Sequence, residues 1–224
     1  MVIQRFIWWL VQKFFRGLMR SVFRIKIIYE GEHPLPGSYL AFNHPGLIDG
    51  VLALLPASAP IRVLAKIELF EGPMGWLFRA GRAIETDWHS PDRSALKEMQ
   101  STIEENVSVA IFPEGTRCSG TYEWIRSGLP YSLLHVNRPI YPVAIFGSRK
   151  AGQNTSSIPR LFSKITLVVG APLDYSEQVL TLQGEIRISQ INLLAERLRQ
   201  DLERFVFRAA AEYGFETLPR NSRE

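Results

Sequence analysis

The sequence has a single cysteine, Cys118, so no intramolecular disulfide can form, and a reducing compartment is the simple inference. The histidines His33, His44, His89 and His135 are scattered, and no Cys/His spacing reads as a metal site. Neither a Gly-x-Ser-x-Gly elbow nor a P-loop occurs, which argues against a serine hydrolase and a nucleotide hydrolase. Glycine and proline are near their average usage, excluding collagen-like and disordered classes. At the N-terminus the uncharged apolar run Phe6–Val11 is far short of the roughly 20 residues that a membrane span requires. Charges recur through that segment and no small-residue cleavage site follows, so it does not read as a signal peptide. Finally, residues 1–26 contain no acidic residue at all.

What is present begins with a chain of 224 residues, 46% apolar, which suits one globular domain with an appended element. The net charge of +4 is unevenly placed. Arg5, Lys13, Arg16, Arg20, Arg24 and Lys26 lie in the acid-free segment, so the basic character belongs to the N-terminus and the remainder is slightly acidic. An anionic partner is implied at that end. At helical spacing, Arg5, Gln12, Lys13, Arg16 and Arg20 share one sector, opposite Ile3, Ile7, Leu10, Val11, Phe14, Phe15 and Leu18. Trp8 falls at the apolar margin and Trp9 among the bases. Residues 1–23 therefore read as an amphipathic helix lying on a membrane surface among phospholipids, with residues 24–224 as the domain that it serves. The broad apolar face and the lack of any nucleic-acid motif argue against nucleic acid as the partner.

The remaining pattern alternates strands and helices. Strands are expected at Arg24–Tyr29, Ser38–Phe42, Arg62–Ala65, Ala83–Thr86, Val107–Phe112, Ile140–Phe146 and Ile165–Val169. Helices are expected at Leu47–Leu55, Glu68–Ala80 (broken at Gly72-Pro73), Asp92–Glu105, Tyr131–Val136 and Glu185–Tyr213, and Lys150–Pro159 reads as a loop. This is an α/β domain with a mixed, mostly parallel sheet flanked by helices, whose site should lie where strands end.

Two segments leave such strand ends. The first is Asn43-His44-Pro45-Gly46-Leu47-Ile48-Asp49. Pro45-Gly46 allows a sharp turn that brings Asp49 to the His44 ring, giving a general base and the carboxylate that orients it. No Ser or Cys nucleophile adjoins the pair, so the nucleophile should be a substrate hydroxyl. The second is Ile111-Phe112-Pro113-Glu114-Gly115-Thr116-Arg117, in which Gly115 permits close backbone approach and the Arg117 fork suits a phosphate. Glu114 either binds a hydroxyl or braces the loop. Each segment alone is equally readable as a helix cap or a plain turn.

Together, Asn-His-x4-Asp and Phe-Pro-Glu-Gly-Thr-Arg resemble the marks of the 1-acylglycerol-3-phosphate acyltransferase family, the PlsC-like acyltransferases. Ala65-Lys66-Ile67-Glu68-Leu69-Phe70, Gly81–Asp87, Arg126-Ser127-Gly128 and Tyr141-Pro142-Val143 look like further family segments, spread over residues 38–147. The resemblance implies transfer of a fatty acyl group from acyl-CoA or acyl carrier protein to a lysophospholipid hydroxyl. It places His44 and Asp49 at the catalytic centre, and Glu114, Gly115, Thr116, Arg117 and Lys66 at the substrate. It implies no metal or other cofactor, and a peripheral or monotopic position on the cytoplasmic face of a cell membrane. One departure stands out. Where the family's second block usually ends Asp-Arg, this chain has Asp87-Trp88, so Arg82 or Arg79 would have to take the place of an arginine associated with the acceptor phosphate. That keeps other acceptors open, a lyso-ornithine lipid among them, as well as a non-catalytic membrane-binding module.

Overall fold

In the computed structural model, the described residues are 2–57, 59–72, 75–87, 92–180 and 187–219. The side chains of Ile3 and Arg5, and the whole of Pro73, Trp88, His89, Pro91 and Glu185, lie outside them. The elements run α1 (Val2–Val22), β1 (Arg24–Tyr29), β2 (Tyr39–Phe42), α2 (Asp49–Leu52), β3 (Ile61–Lys66), α3 (Glu68–Glu71) and α4 (Gly75–Ala80). They continue with β4 (Ile84–Thr86), α5 (Arg93–Glu104), β5 (Ser108–Ile111), α6 (Gly128–His135), β6 (Ile140–Phe146), β7 (Lys164–Val169), α7 (Ser176–Leu180) and α8 (Ile188–Tyr213).

The strands form one seven-stranded sheet in the order β1-β7-β6-β2-β5-β3-β4. All neighbours are parallel except β6 and β7, which run antiparallel. The sheet is mixed and mostly parallel, as the alternating pattern implied. Its central strands are apolar on both faces because both are covered. Tyr39, Val109, Ile140, Ala144 and Val168 pack against α5, α6 and α8 through Met99, Ile103, Leu129, Leu133, Leu198 and Leu202. Leu40, Phe42, Ala110, Val143 and Leu167 face Leu52, Ala53 and Leu55, with Met19 and Val22 of α1 packed against this second cluster. Leu52, Ala53 and Leu55 are thus core.

Element ends follow local chemistry. α2 is one turn where a longer helix was expected. Beyond it Leu54 N–H reaches Val51 O and Leu55 N–H reaches Leu52 O, so the chain tightens into three-residue turns ahead of Pro56. Asp92 caps α5, its carboxylate accepting from Ser94 N–H and Ala95 N–H. α6 starts earlier than expected, because Pro130 sits in its first turn, where the missing N–H costs nothing. Gly214, at φ 73°, ends α8 in the left-handed conformation that its missing Cβ allows.

The N-terminal helix departs from expectation on its polar side. Its apolar sector faces away from the bases and away from the domain. Phe14 is 64% exposed, and Phe6, Ile7, Leu10 and Leu18 are exposed as well. Trp8 and Gln12 are buried instead. Gln12 donates through Nε2 to Ile61 O at 2.5 Å and accepts at Oε1 from Ile61 N–H at 3.1 Å, taking the place of a neighbouring strand at the start of β3. Arg16 donates to Leu54 O at 2.7 Å and to Ala59 O at 3.0 Å. Part of the expected polar stripe is therefore the docking face. No helix among the described residues is long and apolar enough to cross a membrane.

Candidate active site

β2, β5 and β3 are parallel, so the segments that follow Phe42, Ile111 and Lys66 all emerge at one end of the sheet. β2 delivers His44 directly. Gly46 N–H donates to Asp49 Oδ2 at 2.6 Å, which folds the chain back sharply enough for the same oxygen to meet His44 Nδ1 at 3.0 Å. Glycine is needed where this turn packs on the loop after β6: a Cβ on Gly46 would lie 2.8 Å from Ser148 Oγ and 3.0 Å from Ser148 O. Because Asp49 Oδ2 accepts from Gly46 N–H, it acts as an acceptor, and the proton between it and the ring belongs to Nδ1. The lone pair is then on Nε2, which makes no hydrogen bond among the described residues. Asp49 is fully buried while His44 keeps 19% of its side-chain surface exposed, so the ring meets solvent and the carboxylate that holds it does not. The ring lies against Phe112, with centroids 4.2 Å apart.

Glu114 joins the two motif loops. Its Oε2 accepts from His44 N–H at 2.9 Å, and its Oε1 accepts from Tyr122 N–H and Cys118 Sγ, each at 2.9 Å. The carboxyl is fully buried, and burial pushes its pKa up against these donors, which pull it down. Of the two roles open to Glu114 in the sequence, bracing is the one that this geometry performs. Cys118 N–H donates to His44 O at 3.1 Å, so His44 is gripped at both backbone groups by the second loop. Gly115 turns that loop at φ 71°, in the left-handed region. Burial, then the Glu114 charge, pushes the Cys118 thiol pKa far up, which suits a packing residue and not a nucleophile.

Arg117 stands half-buried beyond Thr116, which is exposed. Its Nη1 donates to Thr155 O at 3.2 Å and Ser156 Oγ at 3.5 Å. Lys66 ends β3, exposed, at the same end of the sheet. Arg82 is not brought there. It precedes β4, level with the start of β3, where its carbonyl accepts from Arg62 Nε and its guanidinium lies over the Trp8 ring at 5.2 Å. In a parallel sheet that is the far end of the strands, so Arg82 serves the α1 contact. Among the described residues no group of three or more His, Cys, Asp and Glu could hold a metal ion.

Three contributors escaped the sequence reading. Asn43 donates from Nδ2 to Gly120 O and Ile145 O and accepts at Oδ1 from Ile145 N–H, knitting the end of β2 to β6. Gly120, at φ 72°, lets Asn43 approach: a Cβ there would lie 3.0 Å from Nδ2. Arg149 donates to Cys118 O and Gln153 O, tying the loop after β6 to the loop after β5. The only advance signal was the place of Asn43 beside His44 in the motif.

The profile of the acyltransferase family matches residues 26–146, just over half of the chain, and those residues contain both motif loops. The chain belongs to the acyltransferase family. A 1-acyl-sn-glycerol-3-phosphate acyltransferase of Bacillus subtilis (strain 168) is 26% identical over 170 residues, covering 73% of this chain and 80% of that protein. An enzyme of the same name from Limnanthes douglasii is 28% identical over 142 residues, which are 60% of this chain and 50% of the plant protein. In fold, this acyltransferase resembles the crystal structure of the 1-acyl-sn-glycerophosphate (LPA) acyltransferase PlsC from Thermotoga maritima, with a TM-score of 0.64 and 22% identity, over 98% of this chain and 83% of that one.

Proposed function

We propose that this acyltransferase moves a fatty acyl group from an acyl-CoA or acyl carrier protein thioester to the free hydroxyl of 1-acylglycerol-3-phosphate, forming phosphatidic acid at a membrane surface. The observation that carries the reading is the His44–Asp49 hydrogen bond, held by Glu114 on the loop that presents Arg117. His44 Nε2 takes the proton of the acceptor hydroxyl as its oxygen attacks the thioester carbonyl. A C–O bond forms, the tetrahedral intermediate collapses, the C–S bond breaks, and the proton passes from His44 to the departing thiolate. Asp49 keeps Nδ1 protonated and stabilises the imidazolium; proton transfer of this kind is typically worth about 10²- to 10⁴-fold. Backbone N–H groups of Thr116 and Arg117, which make no hydrogen bond among the described residues, are our assignment for the oxyanion donors. Arg117 binds the acceptor phosphate, with Lys66 as the second cation. The chemistry needs no metal or redox cofactor, since the thioester is already activated.

The exposed apolar face of α1, flanked by exposed Lys13 and Arg20, supports docking on anionic phospholipids as a peripheral or monotopic protein. We place the docked enzyme on the cytoplasmic face of the cell membrane, where acyl thioesters are made. The test is phosphatidic acid formation from oleoyl-CoA and lysophosphatidic acid in vesicles. Product from wild type, reduced by about 10²-fold or more in His44→Ala, is expected. No product from vesicle-bound wild type would overturn this acceptor, and a panel of other lysolipids and of carrier-protein donors then separates a different acceptor from a non-catalytic module. Arg117→Ala is expected to raise the KM for the acceptor about tenfold or more, with a smaller effect on kcat.

A further inference from the structure

The segment from the end of β6 to the first residue of β7 lies within an acid-free run from Trp124 to Leu173 and carries Arg149, Lys150, Arg160 and Lys164. It exposes three large apolar side chains close together in sequence: Ile158 at 69%, Leu161 at 70% and Phe162 at 61%. Phe162 is held in the left-handed region, at φ 60°, which is uncommon for a bulky residue and costs free energy. Its N–H donates to Val22 O at 2.8 Å, so the stretch abuts the last turn of α1. The charges here also lack an internal explanation. Arg24 and Lys164 are direct partners in the parallel β1–β7 ladder, a like-charge pairing that destabilises a sheet. Among the described residues, no acidic side chain pairs with Arg24, Arg160 or Lys164. Exposed apolar side chains rimmed by unpaired cations fit one kind of partner, the headgroup–acyl boundary of an anionic bilayer.

We propose that residues 158–162 form a second lipid-docking element, continuous with α1 at the Val22–Phe162 junction and inserting Ile158, Leu161 and Phe162 beneath anionic headgroups. The proposal rests on the membrane-surface reading of α1 and adds a consequence for the site. The same loop supplies Thr155 O and Ser156 Oγ to Arg117, so the lipid-contacting segment and the residue assigned to the acceptor phosphate are joined through a few residues of chain. Docking at both places would fix Arg117 at headgroup depth, where a lysophospholipid phosphate lies.

The experiment places an environment-sensitive NBD label at Leu161→Cys or Phe14→Cys in the full chain. Cys118 is buried and leaves each introduced thiol as the reactive one. Vesicles of phosphatidylglycerol and phosphatidylethanolamine should blue-shift and brighten both labels, the first much less with phosphatidylcholine alone. A response at Phe14→Cys without one at Leu161→Cys overturns the second element and leaves α1 docking intact. Silence at both positions overturns both readings. A Leu161→Cys response that grows with protein concentration in the absence of vesicles assigns the surface to a second copy of the chain and overturns the proposal. Phe162→Asn supplies an independent check, because asparagine tolerates this backbone better. The variant should keep or raise Tm while lowering turnover of vesicle-borne acceptor about tenfold, as loss of one inserted aromatic side chain predicts. Its turnover of a monomeric short-chain acceptor should not change. Unchanged turnover on vesicles contradicts the proposal.

Discussion

α1 and α8 are both long amphipathic helices on the same domain, and they are mounted in opposite senses. α8 turns Leu194, Leu198, Leu202, Phe205, Val206 and Ala209 into the core, and its charges pair with one another on the outside, as in Arg199 with Glu196 and Glu203. α1 turns Phe6, Leu10 and Phe14 outward and attaches through Trp8, Gln12 and Arg16. Periodicity therefore identifies the apolar stripe of a helix but not the solvent that the stripe meets. The deciding difference is charge: α8 mixes both signs on its polar face, whereas α1 lacks acids and keeps Lys13 and Arg20 exposed beside its apolar ridge.

The contrast can be broken most severely by truncating each stripe. Leu198→Ala should cost about 2–5 kcal/mol in denaturant unfolding, because it opens a cavity beneath a fully buried side chain. Phe14→Ala, at an exposed site, should change stability by no more than about 0.5 kcal/mol while weakening sedimentation with anionic vesicles. If Phe14→Ala destabilises the fold as much as Leu198→Ala does, α1 is an ordinary core helix. Gln12→Leu sharpens the comparison from the other side. It makes α1 more apolar yet should cost about 1–3 kcal/mol, since Ile61 N–H and C=O lose their partners at a buried position. The smallest expected effect is that of Lys13→Gln with Arg20→Gln. Each should cost about 1 kcal/mol of affinity for anionic vesicles and almost none for zwitterionic ones, with added salt erasing the difference.

Much of the strand pattern and the contact between His44 and Asp49 was legible because both are local. Val109–Ile111 and Val143–Ile145 are continuous apolar runs, and His44 reaches Asp49 within one turn. What escaped was long-range. Asn43 meets Ile145 across 102 positions, and Arg149 meets Cys118 across 31, separations at which no periodicity or spacing rule operates. Glu114 was visible as a charged residue beside a strand end, but its partner, the His44 backbone N–H, lies 70 positions away. Arg82 was placed at the substrate by its neighbourhood in sequence, and the parallel topology sends it to the other end of the sheet. The outward mounting of α1 depends on Gln12, an uncharged residue grouped with the bases and used as a strand-edge partner.

In the proposed mechanism Asp49 acts on the reaction only through His44. Asp49→Asn, assayed for acyl transfer from oleoyl-CoA to vesicle-borne lysophosphatidic acid, tests it most directly. A fall in kcat of about 10²-fold or more is expected with the acceptor KM nearly unchanged, because the ring loses its fixed tautomer while the Arg117 loop stays in place. An unchanged kcat, or a loss confined to KM, would contradict it.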